Sequence, residues 1–246
     1  MIYLNNTLIE NKRFPDNTSA LKLEFYNNNS RLTWLYDNDE EMFMIYTITK
    51  HLQNQGFRVQ LYMPYIPNAR MDRVKNEEDV FTLKYFCEFI NSLNFSSVDV
   101  LDPHSNVAVA LLNKIHVRSI ENYVWDALSN IMYDVTGGCQ HEDRMEIEKN
   151  LILFYPDEGS VKRYSEIYQH EYAFGIKHRE WETGKIASLE VVHECSLIGK
   201  DILIIDDICS KGGTFIMAAQ ELKKLGARNI YLYVTHCENN IFNGEI

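Results

Sequence analysis

The stretch ILIIDDICSKGGTF, residues 202–215, constrains the fold of this chain more than any other segment. Its aliphatic run reads as an apolar strand, and the paired glycines ahead of Thr214 read as a turn into a helix. Between them stand two adjacent carboxylates, Asp206 and Asp207, whose like charges repel. The pattern predicts a strand that delivers both acids to the mouth of a sheet. The turn SKGGT then exposes successive backbone N–H groups at a helix N-terminus, a place suited to a phosphate. Two carboxylates can coexist there if they accept hydrogen bonds from vicinal hydroxyls or share a divalent cation. In this reading the acids face a sugar and the turn holds its phosphate; the plainer alternative is an acidic turn whose glycines supply positive φ. The GxxxxGK[ST] order of a Walker A loop is absent.

The rest of the chain repeats the same strand-then-helix order. FRVQLYM (57–63) reads as a strand, followed by Val80, Leu83, Phe86, Ile90 and Leu93 at the spacing of one helical face. VDVL (98–101), LILFY (151–155) and DILII (201–205) are further strands. A helix from about Thr214 stops at Gly226 and leads into the strand IYLYV (230–234). Such alternation predicts α/β architecture, with parallel sheets covered by helices on both faces and ligand sites at the carboxyl ends of the strands. Two sets of elements, meeting near residue 122, fit the spacing best, and 126–150 is the least readable stretch.

Composition removes several classes of function. The net charge of -11 disfavours non-specific nucleic-acid binding, which needs clustered Lys and Arg. The five cysteines form no CxxC pair, which argues against a disulfide framework or structural zinc and for a reducing, cytoplasmic setting. No apolar run approaches the roughly 20 residues of a membrane span, and the N-terminus lacks a signal-like pattern. The loops after the strands carry the remaining chemistry. MPYIPNARMDR (63–73), LDPHSN (101–106) and YPDEGSVKR (155–163) each put charged or imidazole groups just past a strand end, where this kind of fold builds sites.

IIDDICSKGGT resembles the phosphoribosyl-diphosphate loop of the type I phosphoribosyltransferase fold. The whole chain resembles one branch of that fold, the ribose-phosphate pyrophosphokinase family. That family's Phe-x-Asp-Gly-Glu, Pro-Tyr-x-x-Tyr-Ala-Arg-Gln-Asp-Arg and Asp-Leu-His are echoed in order by FPDNT (14–18), PYIPNARMDR (64–73) and DPHS (102–105). PDEG (156–159), KHR (177–179) and THCENNIFNG (235–244) resemble its later segments. The resemblance implies two phosphoribosyltransferase-like domains, 1–122 and 123–246, each a mainly parallel sheet flanked by helices, with the second shortened at its end.

The resemblance also implies a division of labour. Phe14, Asp16 and Thr18 would meet the adenine of ATP from a neighbouring subunit of a homo-oligomer, while Arg70, Met71, Arg73 and His104 would contact the nucleotide. His104 and Asp157 would hold Mg²⁺, and Lys177 and Arg179 would stabilise the transferring diphosphoryl group. Asp206 and Asp207 would take the ribose hydroxyls, and Ser210, Lys211, Gly212, Gly213 and Thr214 the 5-phosphate. Diphosphoryl transfer gathers negative charge and is catalysed mainly by positioning, Mg²⁺ and cationic side chains, so paired Lys and Arg suit it. Each residue has a duller reading: Phe14 as core, His104 as a strand-edge histidine, and Lys177 and Arg179 as a solvated patch beside EWETGK (180–185), which reads as a mobile hairpin tip.

Three departures stand out. Thr18 replaces the family's adenine-loop glutamate, Arg70-Met71 replaces Arg-Gln, and Ser210-Lys211 replaces Asp-Thr in the phosphate loop. The last change raises local charge by about two units, which suits an acceptor whose 5-phosphate continues into a second phosphate. ADP-ribose is such a molecule, and its 1-diphosphate would be a precursor from which nicotinamide could rebuild NAD. Two other readings remain open: a phosphoribosyltransferase that consumes the activated sugar, and a catalytically silent homologue that assembles with an active enzyme.

Overall fold

A computed structural model describes residues 1–24, 28–136, 150–168, 170–179, 186–244 and 246. The chain divides into two compact units, Met1–Ser119 and Ile120–Ile246, a few residues ahead of the boundary expected after residue 122.

The first unit is built on a six-stranded sheet in the order β2-β1-β5-β6-β7-β8. β1 (Ile2–Leu4) runs antiparallel to both β2 (Thr7–Leu8) and β5 (Asn29–Trp34). β5, β6 (Arg58–Tyr62), β7 (Val98–Leu101) and β8 (Ile115–Arg118) are parallel neighbours. Parallel neighbours require crossovers, supplied here by α1 (Glu41–Asn54), α2 (Thr82–Ser92) and α3 (Asn106–Leu111). Burial alternates along the strands, with Val59 and Leu61 buried while Arg58 and Gln60 face water. The dry face therefore packs against Ile45, Ile48 and Leu52 of α1 and Leu83, Phe86 and Ile90 of α2 in one core. Val80, expected on that helical face, lies before α2 and is exposed, because the helix begins only at Thr82. A separate two-stranded hairpin, β3 (Lys12–Arg13) and β4 (Ser19–Ala20), carries FPDNT at its tip.

The second unit has a five-stranded sheet in the order β11-β10-β9-β12-β13. β9 (Leu151–Tyr155), β10 (Tyr172–Arg179), β12 (Asp201–Cys209) and β13 (Ile230–Cys237) are parallel, and β11 (Ile186–His193) closes the edge as an antiparallel hairpin with β10. Every residue of β9 and all of β12 except Ile208 are buried, as expected of central parallel strands covered on both faces. Among the described residues this unit has the helices α4 (Glu121–Thr136), α5 (Glu158–Tyr164) and α6 (Gly213–Lys224). β9 leads through α5 to β10 on one side, whereas β12 leads through α6 to β13 on the other. The adjacent strands β9 and β12 thus form the point where the winding reverses, and it is beyond the carboxyl ends of such strands that this class of fold builds ligand sites.

One expectation is corrected here. Asp206 and Asp207 do not end their strand: β12 continues through Cys209 because its parallel ladder with β13 extends to Cys209 and Cys237. Its pairing with β9 stops at Ile204, so the two carboxylates lie beyond the end of β9, beside the start of α5. The expected hairpin tip at 180–185 lies outside the described residues, as do 137–149 of the stretch 126–150. No helix among the described residues is long and apolar enough to cross a membrane.

Candidate active site

The carboxyl ends of β9 and β12 gather five charged side chains, Asp157, Arg163, Lys177, Asp206 and Asp207, near the buried hydroxyl of Ser160. Asp157 follows β9 in an extended conformation and caps α5, its Oδ1 accepting the Ser160 N–H at 3.0 Å. Its Oδ2 accepts from Lys177 Nζ of β10 at 2.7 Å. Burial pushes the Asp157 carboxyl up, but the Lys177 ammonium and the Ser160 donors outweigh it and hold the carboxyl below its ordinary value. Lys177 is only 15% exposed, so it is not the solvated surface charge of the duller reading.

Asp206 and Asp207 solve their repulsion in different ways. Asp207 is 4% exposed at its side chain and pairs with Arg163 of α5, Oδ2 to Nη1 at 2.8 Å. Asp206 makes no ion pair among the described residues, and Lys177 acts on it only as a weaker, more distant charge. Asp206 Oδ1 accepts from the Ser160 hydroxyl at 2.8 Å and from the Asp207 N–H at 3.0 Å. Burial, and then the Asp207 charge, push the Asp206 carboxyl up to about 7. Ser160 and Arg163 are partners that sequence reasoning did not assign, although both stand in the YPDEGSVKR run.

The titration of Asp206 has a consequence for stability. An unfolded aspartate loses its proton near pH 4, whereas Asp206 holds its proton to about 7. The folded state therefore binds the extra proton between those values, and stability falls as pH rises through that window. Asp206→Asn keeps the Oδ1 acceptor without the charge. It is expected to exceed the natural chain by only about 1–2 kcal/mol at pH 5, where little of the window has been crossed, and by roughly 4 kcal/mol at pH 8 in urea unfolding. An equal difference at both pH values would contradict the assignment.

Beyond β12, Gly212 takes φ 86° at the N-cap of α6, in the left-handed region that favours glycine. Ser210, Lys211, Gly212, Gly213 and Thr214 thus form the turn into α6 that the sequence predicts, with the helix starting one residue early at Gly213. A 3₁₀ segment, Asn239–Asn243, lies against this turn, and Asn240 Nδ2 reaches Ser210 Oγ at 3.4 Å. Lys211 is exposed. Arg179 closes β10, after a bulge between His178 and Arg179, and its side chain lies outside those described.

In the first unit the loops after β6 and β7 come together. Leu101 N–H donates to Pro64 O at 3.1 Å, and Asp72, nearly buried, pairs with Arg73 Nε at 2.8 Å. That hydrogen bond holds the Asp72 carboxyl below its ordinary value against the opposing effect of burial, and the charge of nearby His104 acts in the same direction as Arg73. Arg73 is spent on Asp72 in this arrangement, Arg70 is exposed, and Met71 is half-buried. Asp102, beside His104, adopts φ 46°, a conformation aspartate tolerates better than most residues.

At the β3–β4 tip, Asp16 Oδ1 accepts the Thr18 N–H at 3.0 Å and the Thr18 hydroxyl at 2.7 Å. The hydroxyl donor is the first cause that holds the Asp16 carboxyl below its usual value. Phe14 is 58% exposed there, which excludes the core reading.

No protein-family model matches the chain. Among curated proteins it is similar to the ribose-phosphate pyrophosphokinases of Thermococcus kodakarensis, 25% identical over 93% of this chain and 77% of that enzyme, and Sulfurisphaera tokodaii, 26% identical over 93% and 76%. The chain is similar to ribose-phosphate pyrophosphokinases along nearly its whole length. The phosphoribosylpyrophosphate synthetase of Mycobacterium smegmatis shares its fold, with a TM-score of 0.71 at 15% identity over 94% of this chain and 72% of that one. An α/β chain of two units, each built on a largely parallel sheet with helical crossovers, accords with that likeness.

Proposed function

We propose that this chain transfers diphosphate from ATP to the anomeric hydroxyl of a 5-phosphorylated ribose and releases AMP. The observation that carries the reading is the side-chain cluster at the carboxyl ends of β9 and β12, where Lys177, Asp157, Asp206 and Asp207 stand at the winding reversal that also bears the 210–214 turn. The curated relatives named above, ribose-phosphate pyrophosphokinases by name, support the same chemistry.

In this mechanism the 5-phosphate sits on the N–H groups of Ser210 to Thr214 at the positive end of α6. The ribose hydroxyls donate to Asp206 and Asp207 and orient the anomeric oxygen. Lys177 and Arg179 neutralise the charge gathering on the transferring group. Arg70, Met71, Arg73 and His104 hold the nucleotide. Phe14, Asp16 and Thr18, on an exposed hairpin, complete the adenine site of a neighbouring subunit in a homo-oligomer. A fully active monomer in sedimentation would exclude that sharing.

Among the described residues no group of three or more His, Cys, Asp or Glu is placed to hold a metal ion. Mg²⁺ does not need one, because it is commonly bound by one or two carboxylates together with substrate phosphates. Asp157 fits this role: a carboxylate offers about four lone-pair sites, Ser160 and Lys177 do not fill them all, and the side chain is 40% exposed. His104 is the ligand proposed in the first unit. When bound, Mg²⁺ would screen the phosphate oxygens.

The test is mass spectrometry of the products formed from ATP, Mg²⁺ and either ribose 5-phosphate or ADP-ribose. AMP together with a ribosyl 1-diphosphate supports the proposal. In a parallel assay supplied with phosphoribosyl diphosphate and a base in place of ATP, base-dependent release of diphosphate by a chain that forms no AMP from ATP would favour a phosphoribosyltransferase, and no turnover in either assay would favour a silent homologue.

ADP-ribose is the finer proposal for the acceptor, favoured by exposed Lys211 beside Ser210 in the phosphate turn. Restoring Asp at 210 and Thr at 211 is expected to shift the kcat/KM ratio toward ribose 5-phosphate by at least about tenfold, the value of one charge-assisted contact. A natural preference for ribose 5-phosphate, or a ratio left unmoved, would overturn this choice of acceptor.

A further inference from the structure

We infer that Ser160 is a positioning residue through which the bound ribose loosens Lys177 from Asp157. Ser160 is fully buried in the first turn of α5. Its Oγ lies 2.8 Å from Asp206 Oδ1 and 3.3 Å from Asp157 Oδ1, between carboxylates that arrive from two different strands. A serine hydroxyl has one proton to donate, so it serves one of these acceptors at a time. With no sugar bound it serves the nearer one, Asp206.

The geometry gives that choice a consequence. Asp206 Oδ1 already accepts from both Ser160 Oγ and the Asp207 N–H, which occupy its two lone pairs. A ribose hydroxyl that donates to this oxygen therefore displaces the Ser160 hydroxyl. Rotation about one side-chain bond turns the hydroxyl to Asp157 Oδ1, which then takes two donors from the same residue, N–H and O–H. The charge of Asp157 is shared among more donors, its hold on Lys177 Nζ weakens, and the ammonium turns to the nucleotide phosphates. No covalent bond changes in this step; one hydrogen bond moves. The sugar thus prepares the cation only when the acceptor is in place.

The inference rests on the proposed diphosphoryl transfer for the identity of its two ligands, and its test reads binding rather than turnover. The affinity for a non-hydrolysable ATP analogue with Mg²⁺ is measured with and without saturating ribose 5-phosphate, and again with ADP-ribose. In the natural chain one of the two acceptors is expected to tighten the analogue about fivefold or more, a usual size for coupling between sites. Ser160→Ala removes the hydroxyl but keeps the N–H that caps α5 on Asp157, so the helix start is preserved. In that variant the coupling is expected to fall below about twofold, with analogue affinity in the absence of acceptor nearly unchanged. A purely structural loss would instead weaken the analogue with or without acceptor. Ser160→Cys, of similar size but a weak donor, should retain part of the coupling and serves if the alanine variant does not fold. Equal coupling in the natural chain and either variant, or no coupling in the natural chain, overturns the inference. Coupling that depends on Ser160 in a chain that forms no AMP would uphold it while the transfer reading fails.

Discussion

Lys177→Ala is expected to lower kcat for diphosphoryl transfer about 10²- to 10³-fold, while the KM for ATP changes by less than about threefold. An interaction made mainly with charge that develops in the transition state is lost from kcat rather than from binding. Lys177 is suited to such a role because the chain keeps its ammonium on a rigid strand, mostly out of solvent and 2.7 Å from a carboxylate that can share it. The alanine variant leaves Asp157 capped by Ser160 and partly open to water, so the fold should survive the change. Steady-state kinetics with saturating acceptor decide the point. Unchanged turnover would remove Lys177 from the chemistry, and a loss confined to the KM for ATP would make it a binding residue only.

Arg163→Ala is expected to destabilise the chain by about 3–5 kcal/mol, the range for leaving one member of a buried ion pair without its partner. Arg163 is 24% exposed and Asp207 4%, so water cannot replace the guanidinium readily. Asp206, next in sequence, would add its own repulsion once ionised. Urea unfolding of Arg163→Ala, Asp207→Asn and the double variant checks this. The double variant should recover most of the lost stability, because it removes the stranded charge along with its partner. If the two single effects simply add, the pair is not the support for Asp207 that its geometry indicates. The cost lies in folding and the benefit in the site, since α5 holds one strand carboxylate through Arg163 and another through Ser160.

How much of this was legible in the chain itself differs from residue to residue. VDVL and LILFY were readable as strands with their observed ends, because short aliphatic runs bounded by polar turns leave few alternatives. The start of α6 was readable within one residue from the paired glycines. MPYIPNARMDR, LDPHSN and YPDEGSVKR were readable as segments just past strand ends, and the hairpin that carries FPDNT was not, since two-residue strands have no periodicity to detect. β12 was read too short: a local pattern showed where aliphatics give way to acids, but the strand length is set by β13, a partner more than twenty residues on. The candidate site shows the same division. Asp157, Lys177, Asp206 and Asp207 stood out as charges beside apolar runs, whereas Ser160 and Arg163 read as ordinary residues of a polar helix.

The sequence by itself determined the alternation of strands and helices and which charged residues lie beside the apolar runs, because these follow from hydrophobic spacing and turn chemistry over neighbouring residues. Only the tertiary structure decided what the two adjacent aspartates do about their repulsion. Asp207 takes Arg163 and Asp206 is pushed toward its neutral form against Ser160, because the reversal of winding at β9 and β12 sets α5 beside the end of a strand that lies some forty residues further along the chain. Repulsion between neighbours is written in the sequence; the partner that relieves it is chosen by strand order, which no local window contains.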